Sequence, residues 1–225
     1  MADPWAFGWT QLLTIIGLLI SIFVSLAGLR TFGKWRREKL EEAKINAAVE
    51  GLALAYEAKF IFEYIRGPFV RASEWKDLED SELTKDEIRQ RSSCYAILKR
   101  IEANKDFFEH LWTLQPKFMA IFGPDTESIF ELIHTARRDI ETACEMLADR
   151  REPITANDAD KDFWLQLRAD VWRGREKFAK EGDRVGRRIS EFRAKMELLC
   201  NPVIGRHFYE KESRLDSFIW AMKNS

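Results

Sequence analysis

Before Arg30 this chain has no lysine and no arginine, and from Leu12 to Leu29 it has no charge of either sign. Cysteine and histidine are both scarce, at three each. Cys94, Cys144 and Cys200 are far apart and odd in number, with no Cys-x-x-Cys pair. In a reducing cytoplasm they read as small apolar core residues. There is no Gly-x-Ser-x-Gly elbow, no Gly-Lys-Ser/Thr phosphate loop and no dinucleotide glycine pattern, so nucleophile and nucleotide chemistry have no motif to rest on. Proline (6) and glycine (11) are sparse and fall at intervals, which favours long helices with brief breaks. Val/Ile/Thr alternation, the mark of strands, is missing. So is any internal repeat of fixed period. The formal net charge is only -1 with mixed signs, which argues against a nucleic-acid binder or an acidic tail.

The uncharged run is the most specific feature present. Leu12–Leu29 reads LLTIIGLLISIFVSLAGL. At 1.5 Å per residue, about 18 such residues cross a hydrocarbon layer of roughly 30 Å. A helix is the only single segment that satisfies its own backbone there. Trp5 and Trp9 precede the run and Trp35 follows it, at the depth where an indole has both apolar and polar neighbours. Arg30, Lys34, Arg36, Arg37 and Lys39 come after it. Positive residues stay on the cytoplasmic side, so the short N-terminus is expected outside and the body inside. That makes it a single-pass membrane protein, with the lipid bilayer as its first partner. Ser25-Leu26-Ala27 imitates a signal-peptide cleavage site. A signal peptide, however, carries its charge before an apolar stretch of only about 7–15 residues. A buried core helix would be shorter and would show a polar face.

Beyond the run the pattern is helical throughout. From Lys34 to Arg66, Leu40, Ile45, Val49, Leu52, Tyr56, Phe60 and Ile65 recur near a helical period, so a stalk is expected up to Gly67-Pro68, with Gly33 a hinge candidate. Thr84 and Glu87 form a capping box for the next helix, which Pro116 is expected to interrupt and Gly123-Pro124 to close. Asp125 is the next expected N-cap. It opens a helix bearing Ile129, Ile133, Ala136, Ile140, Ala143 and Leu147, broken near Pro153. A stripe from Trp164 to Leu199 follows, divisible at Gly174, Gly182 or Gly186 and stopped at Asn201-Pro202. The fold class read from this is all-α: a single transmembrane helix at the N-terminus, then a cytoplasmic antiparallel helical bundle. The expected divisions are an anchor over 1–33, a bundle over 34–204 and an amphipathic tail over 205–225, with Leu215, Phe218, Ile219 and Trp220 on its apolar side. One core should hold Leu98, Ile101, Phe108, Ile133, Ile140, Leu147, Phe192 and Met196.

Two stretches carry a resemblance. CYAILKRIEANKDFFEHLWTLQPKFMAIFG, Cys94–Gly123, and ELLCNPVI, Glu197–Ile204, resemble parts of a group of uncharacterised bacterial single-span inner-membrane proteins with a helical cytoplasmic body. The resemblance implies the same bundle and a bacterial inner membrane. It implies no activity and no catalytic residue.

Candidate chemistry is thin. Glu131-Leu132-Ile133-His134 has the Glu-x-x-His spacing of di-iron bundles, but those need a second such pair, and Phe107 and Ile204 stand where His110 and His207 would require glutamate. Asp158–Asp162 imitates a calcium loop, yet Phe163 and Ala169 occupy the positions that demand glycine and glutamate. An acid-rich helix start explains it better. Cys94 or Cys144 could pair with His134 only if folding brings them together. Arg173, Lys177, Lys180, Arg184, Arg187 and Arg188 would form a basic stripe on a continuous helix, suited to anionic headgroups or an acidic partner. Asp170, Glu176, Glu181 and Asp183 favour a solvated mixed face instead. Within the uncharged run, Thr10, Thr14, Gly17, Ser21, Ser25 and Gly28 follow at steps of three and four. Such a stripe lets a second helix approach closely, from another copy or another membrane protein. The reading is therefore a membrane-tethered interaction, scaffold or sensing protein without catalysis, cofactor or metal. The alternative is an anchored enzyme or effector with a site around Glu131 and His134.

Overall fold

The computed structural model describes residues 8–78, 84–149 and 158–223. Six α-helices account for most of them: α1 (Trp9–Ile65), α2 (Lys85–Ala103), α3 (Lys105–Phe122), α4 (Glu127–Asp149), α5 (Asp158–Val171) and α6 (Arg184–Lys223). Short 3-10 turns lie at Ala72–Glu74, Lys76–Leu78, Pro124–Thr126 and Glu176–Phe178. There is no strand among the described residues. By packing the chain divides into Met1–Lys44 and Ile45–Ser225.

The first unit is the N-terminal part of α1. Its Leu, Ile, Phe and Val side chains from Leu12 to Leu29 are all exposed, and no residue of its apolar window is buried. By length and composition this helix can cross a membrane. α1 has no break at Gly33. Trp5, and the side chain of Thr10, lie outside the described residues.

The second unit surrounds one apolar core. α4 is central, packed against α2, α5 and α6. Phe62, Phe108, Phe118, Phe130 and Phe192 are fully buried. Edge-on ring contacts join Phe62 to Phe108 (6.0 Å), Phe118 to Phe130 (5.5 Å) and Phe130 to Phe192 (6.2 Å). Ile101, Phe108, Ile133, Ile140, Phe192 and Met196 sit in this core as expected, while Leu98 and Leu147 pack on its margin.

α1 meets the core with an unexpected face. Ala47, Ala48, Gly51, Leu54, Ala55, Ala58, Ile61, Phe62 and Ile65 are buried, whereas Val49, Tyr56 and Phe60 are exposed. Close approach decides it. A Cβ at Gly51 would lie 2.8 Å from the Phe118 ring, so the missing side chain there lets that ring lie directly against α1.

The helix ends follow local chemistry, with two corrections. Glu87 donates its N–H to Thr84 Oγ1 (3.4 Å) and accepts from the Thr84 N–H (2.8 Å), the expected capping box. Pro116, however, lies inside α3, and the break comes earlier, at Asn104. The Asn104 side chain donates to the Arg100 carbonyl at 2.7 Å and so ends α2. Phe108, Leu111 and Leu114 before Pro116, with Phe118 after it, are buried on one face, which offsets the missing backbone bond. Pro202 likewise does not stop α6, since Leu199 on one side and Val203 and Ile204 on the other pack against the core. Asp125 falls in a 3-10 turn, and α4 begins at Glu127. Gly174 (φ 93°) and Gly182 (φ 64°) do divide the last segment. Gly186 instead stands in the first turn of α6, its N–H donated to Asp183 Oδ1 at 2.8 Å. The expected break near Pro153 and the tail side chains lie outside the described residues.

Candidate functional site

The stripe Gly17, Ser21, Ser25 and Gly28 is exposed on α1, and a Cβ at either glycine would meet nothing within 4 Å. Thr31 Oγ1 donates back to the Ala27 carbonyl at 2.9 Å. Trp9 and Trp35 are exposed, the latter beside Phe32 with ring centroids 5.7 Å apart. Arg30, Lys34, Arg36 and Arg37 are exposed as well, with Lys34 3.8 Å from Glu38. This run of cations at the end of an apolar helix is open to anionic groups.

Glu131 and His134 are not brought together on one usable face. Glu131 is exposed and His134 buried. His134 Nε2 lies 3.0 Å from Gln115 Oε1, and its ring stacks on Trp112 with centroids 4.2 Å apart. Burial holds this imidazole below its ordinary range, against the pull of Glu131. It is a satisfied core histidine. Among the described residues no three His, Cys, Asp or Glu side chains converge as metal ligands do.

Cys94 and Cys144 pair with each other, not with His134, across buried surfaces of α2 and α4. The Cys94 contact and burial push the Cys144 thiol up, and burial raises Cys200 to about 11. Cys144 and Cys200 are thus poor nucleophiles at neutral pH, while the hydrogen bond with Cys144 holds the Cys94 thiol below its ordinary value.

The basic stripe is taken apart by the turn between α5 and α6. Arg173 reaches Glu63 (3.1 Å), and Arg187 donates to the Glu181 carbonyl (2.9 Å). Arg188 pairs with Asp139. Arg184 grips Asp170 with Nε (2.9 Å) and Nη2 (2.6 Å), and Gln166 adds a bond from its amide. Burial pushes the Asp170 carboxyl up, while Arg184 pulls it down.

Two arginines that periodicity does not reveal organise the end of α1. Arg100, from α2, donates to the carbonyls of Gly67 (2.9 Å) and Phe69 (2.6 Å) and to both oxygens of Glu74 (3.1 and 2.9 Å). Arg66 donates to the Ala169 carbonyl at 2.7 Å and pairs with Asp183 at 2.9 Å. Its own carbonyl accepts the Arg173 N–H at 2.9 Å. Arg66 is buried and lines a cleft of about 320 Å³ with residues of α1, Arg173 and the first turns of α6. The only hint in the sequence is an arginine placed directly before Gly67-Pro68.

No family model, curated protein or solved structure matches this chain.

Proposed function

We propose that the chain is a membrane-tethered, non-catalytic interaction protein whose helical bundle is held at the cytoplasmic face of a bacterial inner membrane. The observation that carries this is the contrast within α1. Its apolar stretch buries nothing in the protein, whereas Ile45–Ile65 packs small residues tightly into a core. A long exposed apolar helix is stable in lipid and a liability in water. Cations on one side only, Arg30 to Lys39, support the inward orientation of the body. The resemblance of Cys94–Gly123 and Glu197–Ile204 supports the bacterial setting. The polar candidate His134 is spent structurally, on Gln115 and Trp112, which supports a role in holding a partner over a role in chemistry. The stripe Gly17, Ser21, Ser25 and Gly28 is the proposed contact for a second copy or another membrane helix.

The test is fractionation with a topology reporter. The protein is expected to stay in the membrane pellet after an alkaline carbonate wash, and a reporter active only outside the membrane, fused after Ser225, is expected to stay silent. Release by carbonate would overturn the tether, and an active reporter would overturn the orientation.

A further inference from the structure

We propose that Cys94 and Cys144 form a reversible dithiol–disulfide pair, through which a hydroperoxide locks α2 to α4. The two residues stand far apart in sequence, on different helices, and both are free thiols. Folding turns them toward each other, and a hydrogen bond joins their side chains. A separate contact fixes the same alignment. Arg91 of α2 lies 3.8 Å from Asp149 of α4, so numbering rises along α2 as it falls along α4, and Cys94 comes opposite Cys144. A disulfide needs β-carbons about 3.5–4.5 Å apart. Cysteine side chains are short, so two that already touch meet this with little movement of either helix. Cys200, on α6, is the contrast: burial alone acts on its thiol.

The pair is chemically asymmetric. The contact with Cys144 holds the Cys94 thiol low, while the contact with Cys94, burial and the charges of Glu141 and Glu145 push Cys144 up. Thiolate character makes the nucleophile, so Cys94 attacks first. Its sulfur takes one oxygen of the peroxide. An S–O bond forms, the O–O bond breaks, and the remainder leaves as water or an alcohol. The Cys144 sulfur then attacks the Cys94 sulfenic acid. The S–S bond forms, the S–O bond breaks, and hydroxide leaves with the Cys144 proton as water. The two thiols lose two electrons and two protons in all, and the peroxide gains them. A thiol reductant reverses the bond by exchange.

Both sulfurs lie inside the bundle, so the reaction runs through local opening of α2. Lys85 and Asp86 at its start are exposed, and Ser92, Ser93 and Tyr95 beside Cys94 are only half-buried. A brief opening there admits hydrogen peroxide more readily than a bulky disulfide. Once formed, the bond encloses the whole of α3 in a covalent ring and holds α2 on α4. It also holds in place Arg100 of α2, which grips the carbonyls of Gly67 and Phe69 after α1. Transient disulfides in a reducing compartment serve to sense oxidants.

The test uses the full chain in a neutral maltoside detergent, reduced, freed of reductant and exposed to hydrogen peroxide. Remaining thiols are alkylated in urea and the protein is mapped by mass spectrometry. The expected product is lighter by two hydrogen atoms, with Cys94 linked to Cys144, Cys200 alkylated, and both thiols restored by dithiothreitol. It should unfold at higher urea than the reduced chain, because the bond restrains the unfolded state. Cys144→Ser should trap Cys94 as a sulfenic acid that a dimedone probe captures, whereas in Cys94→Ser the remaining thiols should stay reduced. Cys200→Ser should cross-link like the wild type. The wild-type map decides even where a variant fails to fold. Three alkylated cysteines after peroxide overturn the proposal, and so does a link that includes Cys200 or joins two chains. A Cys94–Cys144 bond that lowers the urea midpoint also overturns it, since the folded helices then oppose the bond.

Discussion

His134 shows how much a single side chain can be misread. Its spacing from Glu131 suggests a ligand, yet the ring lies flat on Trp112 and bonds Gln115. Its effect on stability has a definite sign. Unfolded, the imidazole takes up a proton near pH 6.5; folded, burial lowers that value. Below pH 6.5 the unfolded chain therefore binds more protons, and stability falls as pH falls. His134→Gln should flatten that slope between pH 7.5 and 5 in urea unfolding of the detergent-solubilised chain. An unchanged slope would assign the pH dependence to other groups. The two arginines at the end of α1 carry the opposite lesson. Beyond the place of Arg66 directly before Gly67-Pro68, nothing in their neighbourhood marks Arg66 or Arg100, because their partners, Ala169, Asp183 and Glu74, lie far along the chain. Local pattern records that a charge is present. It does not record which remote carbonyl or carboxylate receives it.

Among the elements, the Thr84 cap and the two positive-φ glycines Gly174 and Gly182 were legible, the Asp125 cap and Gly186 break were not, and proline was over-read. Thr84/Glu87 and Gly174/Gly182 act through their own few residues, so the sequence displays them. Pro116 and Pro202 stay helical because apolar residues on both sides of each are held by the core, a non-local effect. The buried face of α1 was hidden for a related reason: size ranks Val49, Tyr56 and Phe60 first, but close packing selects Ala47, Gly51, Ala55 and Ala58. Gly51→Ala should therefore cost about 1–3 kcal/mol through its collision with Phe118. Gly205→Ala, in open space within α6, should be neutral or gain up to about 1 kcal/mol. Urea midpoints of the two variants decide between packing and propensity. In the apolar stretch, Gly17→Ile/Ser21→Ile should preserve membrane insertion and abolish helix association in an in-membrane assay. Replacing Leu18 and Ile22 with other large apolar residues should do little. Equal association of both variants would leave the small residues without a role.

At the scale of the molecule, the all-helical class and most of the core were readable, because an apolar stripe at helical period has few other uses. Phe108→Ala and Ile140→Ala should each cost about 2–5 kcal/mol, since both side chains are enclosed on all sides. Negligible cost from either, measured by tryptophan fluorescence in urea, would contradict the packing described. The cleft beside Arg66 was not readable at all. Its walls come from three separate stretches, and no spacing within any one of them encodes their meeting.

The bond from Arg66 to the Ala169 carbonyl joins residues 103 positions apart. Translation proceeds at about 5–20 residues per second, so Arg66 is made roughly 5–20 s before its acceptor. During that interval the end of α1 has neither Ala169 nor Asp183 to hold it. The alanine face and Phe62 are made well before α5 and α6. The nascent chain is therefore most exposed to misassembly and to chaperones midway through synthesis, and its architecture closes only when the last helix emerges.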